Sequence, residues 1–205
     1  RDSIRRQRQM CIRDSLSSEA GCNALAEDVA SREGALHVLV NNAGANWGAP
    51  LAEFPASGWD KVLDLNLKGP FFLTRALVPL LEKTSAPGDP TRVINIGSID
   101  GIQVPALDTF SYSASKAAIH HMTRVLARKL APRVTVNAVA PGPFESKMMA
   151  ATLERFGDAI KASCPMGRIG ESEDMAGVAI YLASRAGAYV TGAVIPVDGG
   201  IATTR

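Results

Sequence analysis

Tyr112 and Lys116 are the two side chains of this sequence whose types and spacing best suit proton transfer. On a helix, residues four positions apart lie on one face, so the phenol and the ammonium would be neighbours. A phenol has a pKa of about 10 in water, and a nearby cation favours the phenolate and lowers that pKa. The pair therefore predicts a general acid or base, although Tyr-x-x-x-Lys also arises by chance on helix surfaces.

Two polar residues upstream could serve the same chemistry. Ser98 follows the apolar run of residues 93–96, and a hydroxyl at the end of a buried strand can donate to a carbonyl oxygen that gains negative charge. Serine is also common in ordinary turns. Asn66 lies between two helical patterns, where asparagine marks a kink, a bound water or simply a helix end.

The tetrapeptide Asn-Asn-Ala-Gly at residues 41–44 directly follows another apolar run, residues 36–40. Gly44 lets the backbone approach a ligand closely, and the same four residues would also form an ordinary turn. Because this segment and Ser98 each end a predicted strand, we expect both at the same edge of a sheet.

Helical and strand patterns alternate along the rest of the chain, and this alternation predicts the fold. The strands are mostly apolar, which is typical of parallel sheets covered on both faces. We expect one α/β domain, residues 16–205, with a Rossmann-like doubly wound parallel sheet and with ligands beyond the carboxyl ends of its strands. Predicted strands cover residues 36–40, 93–96, 134–138 and 193–197, and predicted helices cover residues 17–33, 57–65, 68–82, 112–130, 146–160 and 172–183, the last capped by Ser172.

The composition, with 46% hydrophobic and 20% charged residues, is typical of a globular protein. The sequence has no apolar run of about 18 residues, so we expect no membrane-spanning helix. The three cysteines are widely spaced and odd in number. They fit neither a disulfide framework nor a zinc site, so we expect no metal, a reducing compartment and a cytoplasmic location.

Residues 1–15 differ from the rest of the chain. They hold five of the 22 basic and two of the 20 acidic residues, so the remainder has 17 basic and 18 acidic residues and a net charge of −1. A nucleic-acid partner needs a basic surface, and we expect no such partner. The segment is either a basic arm or a non-native remnant of a sequencing adapter. We favour the remnant, because residues 10–15 back-translate to a string that resembles a transposase-type adapter end.

Taken in order, the motifs resemble the short-chain dehydrogenase/reductase family. Asn-Asn-Ala-Gly at residues 41–44, Asn66, Ser98, Tyr112-x-x-x-Lys116 and Pro141-Gly142 follow one another after the expected strands. Each motif alone is weakly or moderately specific, whereas the ordered set is highly specific. The resemblance, which runs from about residue 16 to residue 200, implies an enzyme that transfers hydride between a nicotinamide cofactor and a carbonyl or secondary alcohol.

The resemblance also implies roles for particular residues. Tyr112 would pass the proton to the substrate oxygen, Lys116 would lower the tyrosine pKa and bind the nicotinamide ribose, and Ser98 would orient the carbonyl. Asn66 would hold a water that links Lys116 to solvent. The other predicted contacts with the cofactor are Asn42, Ala43 and Gly44 beside the ribose, Pro141, Gly142 and Phe144 beside the nicotinamide, and Ser146, where the family often has threonine, at the carboxamide.

One feature of the family is missing from the sequence. No Gly-x-x-x-Gly-x-Gly occurs in residues 1–40, so we expect an N-terminally truncated domain without the first strands and the glycine-rich phosphate loop. The family's strand order would leave residues 36–40 as an open apolar edge, which favours aggregation, and the pyrophosphate would lose its helix N-terminus. The chain as printed is therefore expected to be inactive or insoluble, and the full-length protein active.

Within the family, residues 47–48, 92–98, 140–144 and 192–200 resemble 3-oxoacyl-[acyl-carrier-protein] reductases, including those of rhamnolipid biosynthesis. This resemblance implies a small-molecule substrate, a 3-oxoacyl thioester, with NADP or else NAD as the cofactor. Met148 and Met149 would lie in a flexible lid suited to an acyl chain, and they would suit ordinary core packing equally well.

Other functions and the assembly follow from the same resemblance. A sugar or polyol dehydrogenase of this family and a non-catalytic dinucleotide-binding scaffold are the alternatives, and the intact set of Ser98, Tyr112 and Lys116 argues against the scaffold. The family also implies a homotetramer or homodimer, with residues 68–82 and 112–130 at one interface.

Overall fold

A computed structural model describes residues 16–146 and 149–204, and the interpretations of residues 1–15 and Met148 lie outside this part of the chain. Helices and strands alternate along it, as the sequence predicts. The helices are α1 (Glu19–Arg32), α2 (Ala56–Leu63), α3 (Gly69–Thr84), α4 (Phe110–Leu130), α5 (Ala150–Ser163) and α6 (Ser172–Ala183). The strands are β1 (Val38–Asn41), β2 (Thr91–Ile96), β3 (Val134–Pro141) and β4 (Val194–Val197).

The four strands form one parallel sheet in the order β1-β2-β3-β4. Their registers pair Val40 with Ile94, Ile94 with Asn137, and Val139 with Ile195. Neighbouring parallel strands need a crossover connection, and helices supply each one. The carboxyl ends of the strands therefore lie along one edge of the sheet, where the polar motifs of the sequence begin.

Alternate strand residues enter two apolar cores on opposite faces of the sheet. Val93 packs with Val136 and with side chains of α1, α3 and α4. Ile94, the next residue, packs with Val139 and with Leu182 of α6. Because side chains alternate between the faces of a strand, helices cover both sides of the sheet, and the predicted Rossmann-like α/β class is confirmed.

The starts of α5 and α6 show that a capping residue stands outside the helix that it caps. α5 begins later than the predicted start at Ser146. The amide of Met149 donates to the Ser146 hydroxyl at 3.2 Å, so this serine closes the turn before the helix. α6 does begin at Ser172, but the residue at its cap is Glu171, whose amide donates to the Asp174 carboxylate at 2.8 Å.

Cys22 and Cys164 are free thiols, and both are buried. Among the helices of residues 16–146 and 149–204, none is long and apolar enough to cross a membrane. The part of the chain that the structure describes also contains no group of three or more His, Cys, Asp or Glu side chains that could hold a metal ion.

Candidate active site

The candidate site lies at the carboxyl edge of the sheet, where the segments after β1 and β2 meet the start of α4. Ser98 follows β2, and Tyr112 and Lys116 lie in the first turns of α4. Asn66 lies in a π-helical turn, Asp64–Lys68, between α2 and α3. The structure thus brings Ser98, Tyr112 and Lys116 together, and Asn66 contacts α4 at Ser115, between Tyr112 and Lys116.

Ser98 is fixed by a tight turn that leads out of β2. It stands at the start of a short 3-10 helix, Ile99–Gly101, and its hydroxyl accepts a hydrogen bond from the amide of Asp100 at 3.2 Å. Ser98 is buried, and its hydroxyl is hydrogen-bonded to the phenol of Tyr112. The two hydroxyls therefore converge on one point, which is the arrangement that polarises a carbonyl oxygen.

The ammonium of Lys116 is buried beside the phenol. Its Nζ atom lies 5.4 Å from the centre of the Tyr112 ring and donates to the carbonyl of Ile96 at 2.7 Å. An ammonium carries three donors, so it can serve further acceptors. The spacing of four residues on α4 therefore gives the neighbouring phenol and ammonium that the sequence predicts.

The pKa of Tyr112 is shifted in the direction opposite to the prediction. Burial raises the pKa of the phenol above its usual value, the hydrogen bond with Ser98 lowers it in part, and the Asp100 carboxylate raises it. The Lys116 ammonium donates to a backbone carbonyl rather than to the phenol, so the loss of water has the larger effect. The phenol is therefore protonated at neutral pH, which is the state that can donate a proton to a substrate oxygen.

Asp100 is a residue of the site that the sequence analysis did not select. Burial lowers the pKa of Lys116 to about 8, and the Asp100 carboxylate opposes that effect. The pKa of Asp100 is raised by burial and lowered in part by Lys116. The sequence could have indicated Asp100, because it lies only two residues after Ser98. The turn that carries both residues packs on α4, where a Cβ on Gly101 would lie 2.6 Å from the carbonyl carbon of Lys116.

We expect Asp100→Asn to move the pH profile of turnover to lower pH. The carboxylate raises the pKa of both Tyr112 and Lys116, so its neutralisation lowers both. The alkaline limit of kcat/KM, set by loss of the phenol proton, would move down. Rates measured across the alkaline range test this, with Asp108→Asn, at an exposed carboxylate of the same loop, as the control. Superimposable profiles for the Asp100 variant and the wild type would contradict the prediction.

Asn66 joins the segment after β1 to helix α4. Its Oδ1 accepts from the amide of Ala45 at 2.8 Å, and its Nδ2 donates to the carbonyl of Ala45 at 2.9 Å and to the hydroxyl of Ser115 at 3.0 Å. The residue is almost fully buried. The interruption predicted from the sequence is the π-helical turn, a feature frequent at functional sites, and it lets this amide brace the part of α4 that carries Lys116.

The first predicted cofactor segment, Asn42, Ala43 and Gly44, directly follows β1. Asn42 is exposed, and the next two residues are half-buried. A Cβ on Gly44 would lie 3.4 Å from Oδ1 of Asn66. Glycine therefore keeps this loop close to the Asn66 amide while one side of the loop stays accessible.

The second predicted cofactor segment follows β3. Pro141 is the last residue of that strand, and Gly142 comes next, at the level of the end of β4. The ring of Phe144 packs against Gly170, where an added Cβ would lie 2.5 Å from ring atoms. Together with the hydroxyl contact of Ser146 described above, this packing ties the segment to the residues just before α5 and α6.

The residues present fit the ribose end of a nicotinamide dinucleotide. The buried ammonium of Lys116 and the phenol of Tyr112 are donors suited to sugar hydroxyls, and the loop of residues 42–44 lies at the same edge of the sheet. For the phosphate end, residues 1–40 contain no glycine-rich loop of the kind that opens a helix toward a pyrophosphate.

Known proteins match the chain over most of its length. A family model described as enoyl-(acyl carrier protein) reductase matches residues 4–202. The rhamnolipids biosynthesis 3-oxoacyl-[acyl-carrier-protein] reductase of Pseudomonas aeruginosa is 47% identical over 188 residues, which cover 90% of this chain and 73% of that protein. The 3-oxoacyl-[acyl-carrier-protein] reductase FabG of Thermotoga maritima is 39% identical over 178 residues, which cover 86% of this chain and 70% of that protein.

A solved structure is also similar to this chain, in sequence and in fold. The chain matches the Pseudomonas aeruginosa RhlG/NADP active-site complex with a TM-score of 0.86 and 46% identity. The match covers 91% of this chain and 74% of the other. The likeness therefore extends from the sequence to the arrangement of the sheet, the helices and the edge at which the candidate site lies.

Proposed function

Because the chain belongs to the short-chain dehydrogenase/reductase family of oxidoreductases, we propose that it carries the catalytic residues of an NADP-dependent reductase acting on 3-oxoacyl thioesters. The observation that supports this most is the convergence of the Ser98 and Tyr112 hydroxyls beside the buried ammonium of Lys116. NAD is the second candidate cofactor. NADP is favoured because the similar solved structure, with 46% identity, is described as a complex with NADP.

In this proposal, Tyr112 is the proton donor. The cofactor, when bound, supplies the hydride to the carbonyl carbon, and the phenol gives its proton to the carbonyl oxygen as the C–O double bond is lost. Burial keeps the phenol protonated at neutral pH, so it is in the right state for reduction. The phenolate that remains takes a proton from solvent, and the nearby Lys116 ammonium stabilises it until then.

The remaining predicted residues hold and orient the reactants. Ser98 donates to the carbonyl oxygen, and Lys116 donates to ribose hydroxyls. Asn66 fixes the α4 segment and holds a water between Lys116 and solvent. The other proposed cofactor contacts are Asn42, Ala43 and Gly44 at the ribose, Pro141, Gly142 and Phe144 at the nicotinamide, and Ser146 at the carboxamide.

Apolar residues on the loop after Ser98 support an acyl substrate. Ile102, Val104 and Leu107 are all exposed on this loop, between the 3-10 helix and α4. Exposed apolar side chains beside a polar site suit a ligand with a polar reacting end and an apolar tail. Met149, just before α5, is half-buried and suits a flexible contact with such a chain.

The test is to express the genomic reading frame that contains residues 16–204 and to follow oxidation of NADPH by its near-ultraviolet absorbance with a 3-oxoacyl thioester. The proposal expects turnover that depends on the thioester and prefers NADPH to NADH. Turnover with sugars or polyols and none with thioesters would replace the substrate class. Cofactor binding without turnover of any carbonyl or alcohol would favour a scaffold.

The same experiment addresses residues 1–15. The family match begins at residue 4, within the segment interpreted as an adapter remnant. A genomic reading frame that encodes residues 1–15 would reject that interpretation.

We further propose a homodimer or homotetramer that uses α3 and α4. Each helix has an exposed apolar residue, Phe71 on α3 and Val125 on α4, and such residues favour burial between copies. Light scattering on the assayed protein gives the number of copies. A cytoplasmic location is proposed on the free thiols of Cys22 and Cys164.

A further inference from the structure

His120 lies on α4 one helical turn after Lys116, and it is almost fully buried. Its imidazole faces the turn that carries Ser98. The amide of Ser98 donates to its Nε2 at 3.4 Å, and a second hydrogen bond joins the ring to the backbone of Gly101. One side chain therefore contacts both ends of the Ser98–Gly101 turn.

The backbone before Ser98 packs directly on the same ring. A Cβ on Gly97 would overlap Nε2 of His120 and would lie 2.7 Å from its Cδ2. The amide of Gly97 donates to the carbonyl of Val139 at 2.7 Å, which holds this residue on the sheet. The imidazole thus fills the space between α4 and the exit of β2, with no room for another side chain.

The other end of the turn rests on α4 itself. A Cβ on Gly101 would lie 2.7 Å from both the amide of Ala117 and the carbonyl oxygen of Lys116. The turn is therefore held between the Lys116 backbone and the His120 ring, and movement of either would move the Ser98 hydroxyl.

The charge state of the imidazole matters for this contact. Burial and the nearby cations of Lys116 and Arg124 together lower the pKa of His120 to about 4, although the hydrogen bond with the Gly101 backbone partly opposes them. The facing turn contributes the Asp100 carboxylate. A neutral ring has one donor and one acceptor nitrogen, so Nε2 as acceptor leaves Nδ1–H as the donor. A protonated ring would lose the acceptor for the Ser98 amide.

We propose that His120 is a positioning residue of the reductase site, whose neutral imidazole fixes the Ser98–Gly101 turn and thereby aims the Ser98 hydroxyl at the substrate oxygen. The inference rests on the proposed function, because Ser98 acts there on the substrate. It goes beyond that function because it makes His120, a buried residue that does not touch the substrate, necessary for the position of the Ser98 hydroxyl.

Nuclear magnetic resonance of the histidine side chains tests the contact without any turnover. His120 is expected to be a neutral Nδ1–H tautomer at neutral pH and to stay neutral well below the usual histidine pKa of about 6.5. The amide of Ser98 is expected to exchange slowly with solvent. An Nε2–H tautomer or an ordinary titration curve would overturn the inference, whether or not the protein reduces thioesters.

Kinetics of two substitutions then test the role in the full-length enzyme. His120→Leu removes both hydrogen bonds and is expected to lower kcat by about 10- to 100-fold, the usual effect of a small displacement of a reacting group. KM for NADPH should change little, because the contacts of the ring are with the backbone of the Ser98–Gly101 turn and of Gly97. His120→Gln keeps an acceptor and a donor and is expected to recover most of the lost rate.

Arg185→Leu is the control, because Arg185 is exposed and lies outside α3, α4 and the predicted cofactor segments, and it should leave kcat unchanged. Wild-type kcat in folded His120→Leu would overturn the inference, and so would an equal loss in the Leu and Gln variants at equal Tm. If His120→Leu does not fold, the tautomer measurement on the native protein still decides. Absence of turnover in the wild type would instead reject the proposed function.

Discussion

Tyr112→Phe is expected to lower kcat for 3-oxoacyl reduction by about 10²- to 10⁴-fold, the usual range for a lost general acid. The substitution removes only the hydroxyl, so the ring keeps its place 5.4 Å from the Lys116 ammonium. Binding of NADPH should persist within a few-fold, because Lys116 and the loop of residues 42–44 are unchanged. Steady-state rates and a fluorescence titration with NADPH measure the two effects separately.

The control for this substitution is Tyr189→Phe, since Tyr189 is fully exposed and lies far from α4 in sequence. It should leave both kcat and NADPH binding unchanged. If the Tyr112→Phe enzyme keeps more than about a tenth of the wild-type kcat, the phenol is not the proton donor. The Ser98 hydroxyl or a solvent water would then be the donor.

The sheet and its functional edge could be predicted because their signals are local. The predicted strand at residues 93–96 is the C-terminal part of the observed strand Thr91–Ile96, and a chain that leaves a buried strand just before Ser98 must emerge at the carboxyl edge. Asn66 was likewise visible as an interruption, because asparagine disfavours a helix interior. The π-helical form of this turn and the hydrogen-bond partners of the Asn66 amide could not be predicted, because they depend on contacts with distant residues such as Ser115.

The electrostatics of the site could not be predicted, because burial depends on the whole fold. From the sequence, Lys116 should lower the pKa of Tyr112, yet exclusion of water raises it and the ammonium turns to the carbonyl of Ile96. His120 shows the same limit. It follows Ser98 by 22 residues and contacts it only because α4 packs on the turn.

Helix ends were predicted less well than strands, because several polar residues near an end can serve as its cap. Ser146 is predicted to begin a helix, whereas its hydroxyl accepts from the amide of Met149 in the turn before α5. Ser172 is predicted as the cap of α6, whereas the residue at the cap is Glu171, just outside the first turn. Such competition between neighbouring caps is decided by the path of the loop, which short-range sequence patterns do not contain.

Gly101→Ala is expected to destabilise the fold by about 1–3 kcal/mol, the usual effect of overpacking. The added Cβ would lie 2.6 Å from the carbonyl carbon of Lys116 and 2.7 Å from the amide of Ala117. Both are backbone atoms of α4, so no side-chain rotation relieves the contact. The turn must move away from the helix, and kcat should fall with stability because Ser98 moves with it.

Thermal unfolding of the full-length protein measures this effect, at roughly 2–4 °C of Tm for each kcal/mol in a chain of this size. Gly177→Ala is the matched control, because Gly177 lies inside α6 and an added Cβ there meets nothing within 4 Å. Alanine at an open helical position should stabilise the protein by about 0.5–1 kcal/mol. The two identical substitutions should therefore shift Tm in opposite directions. An unchanged Tm and kcat in Gly101→Ala would mean that the turn does not rest on Lys116, and the basis for holding Ser98 between α4 and His120 would be lost.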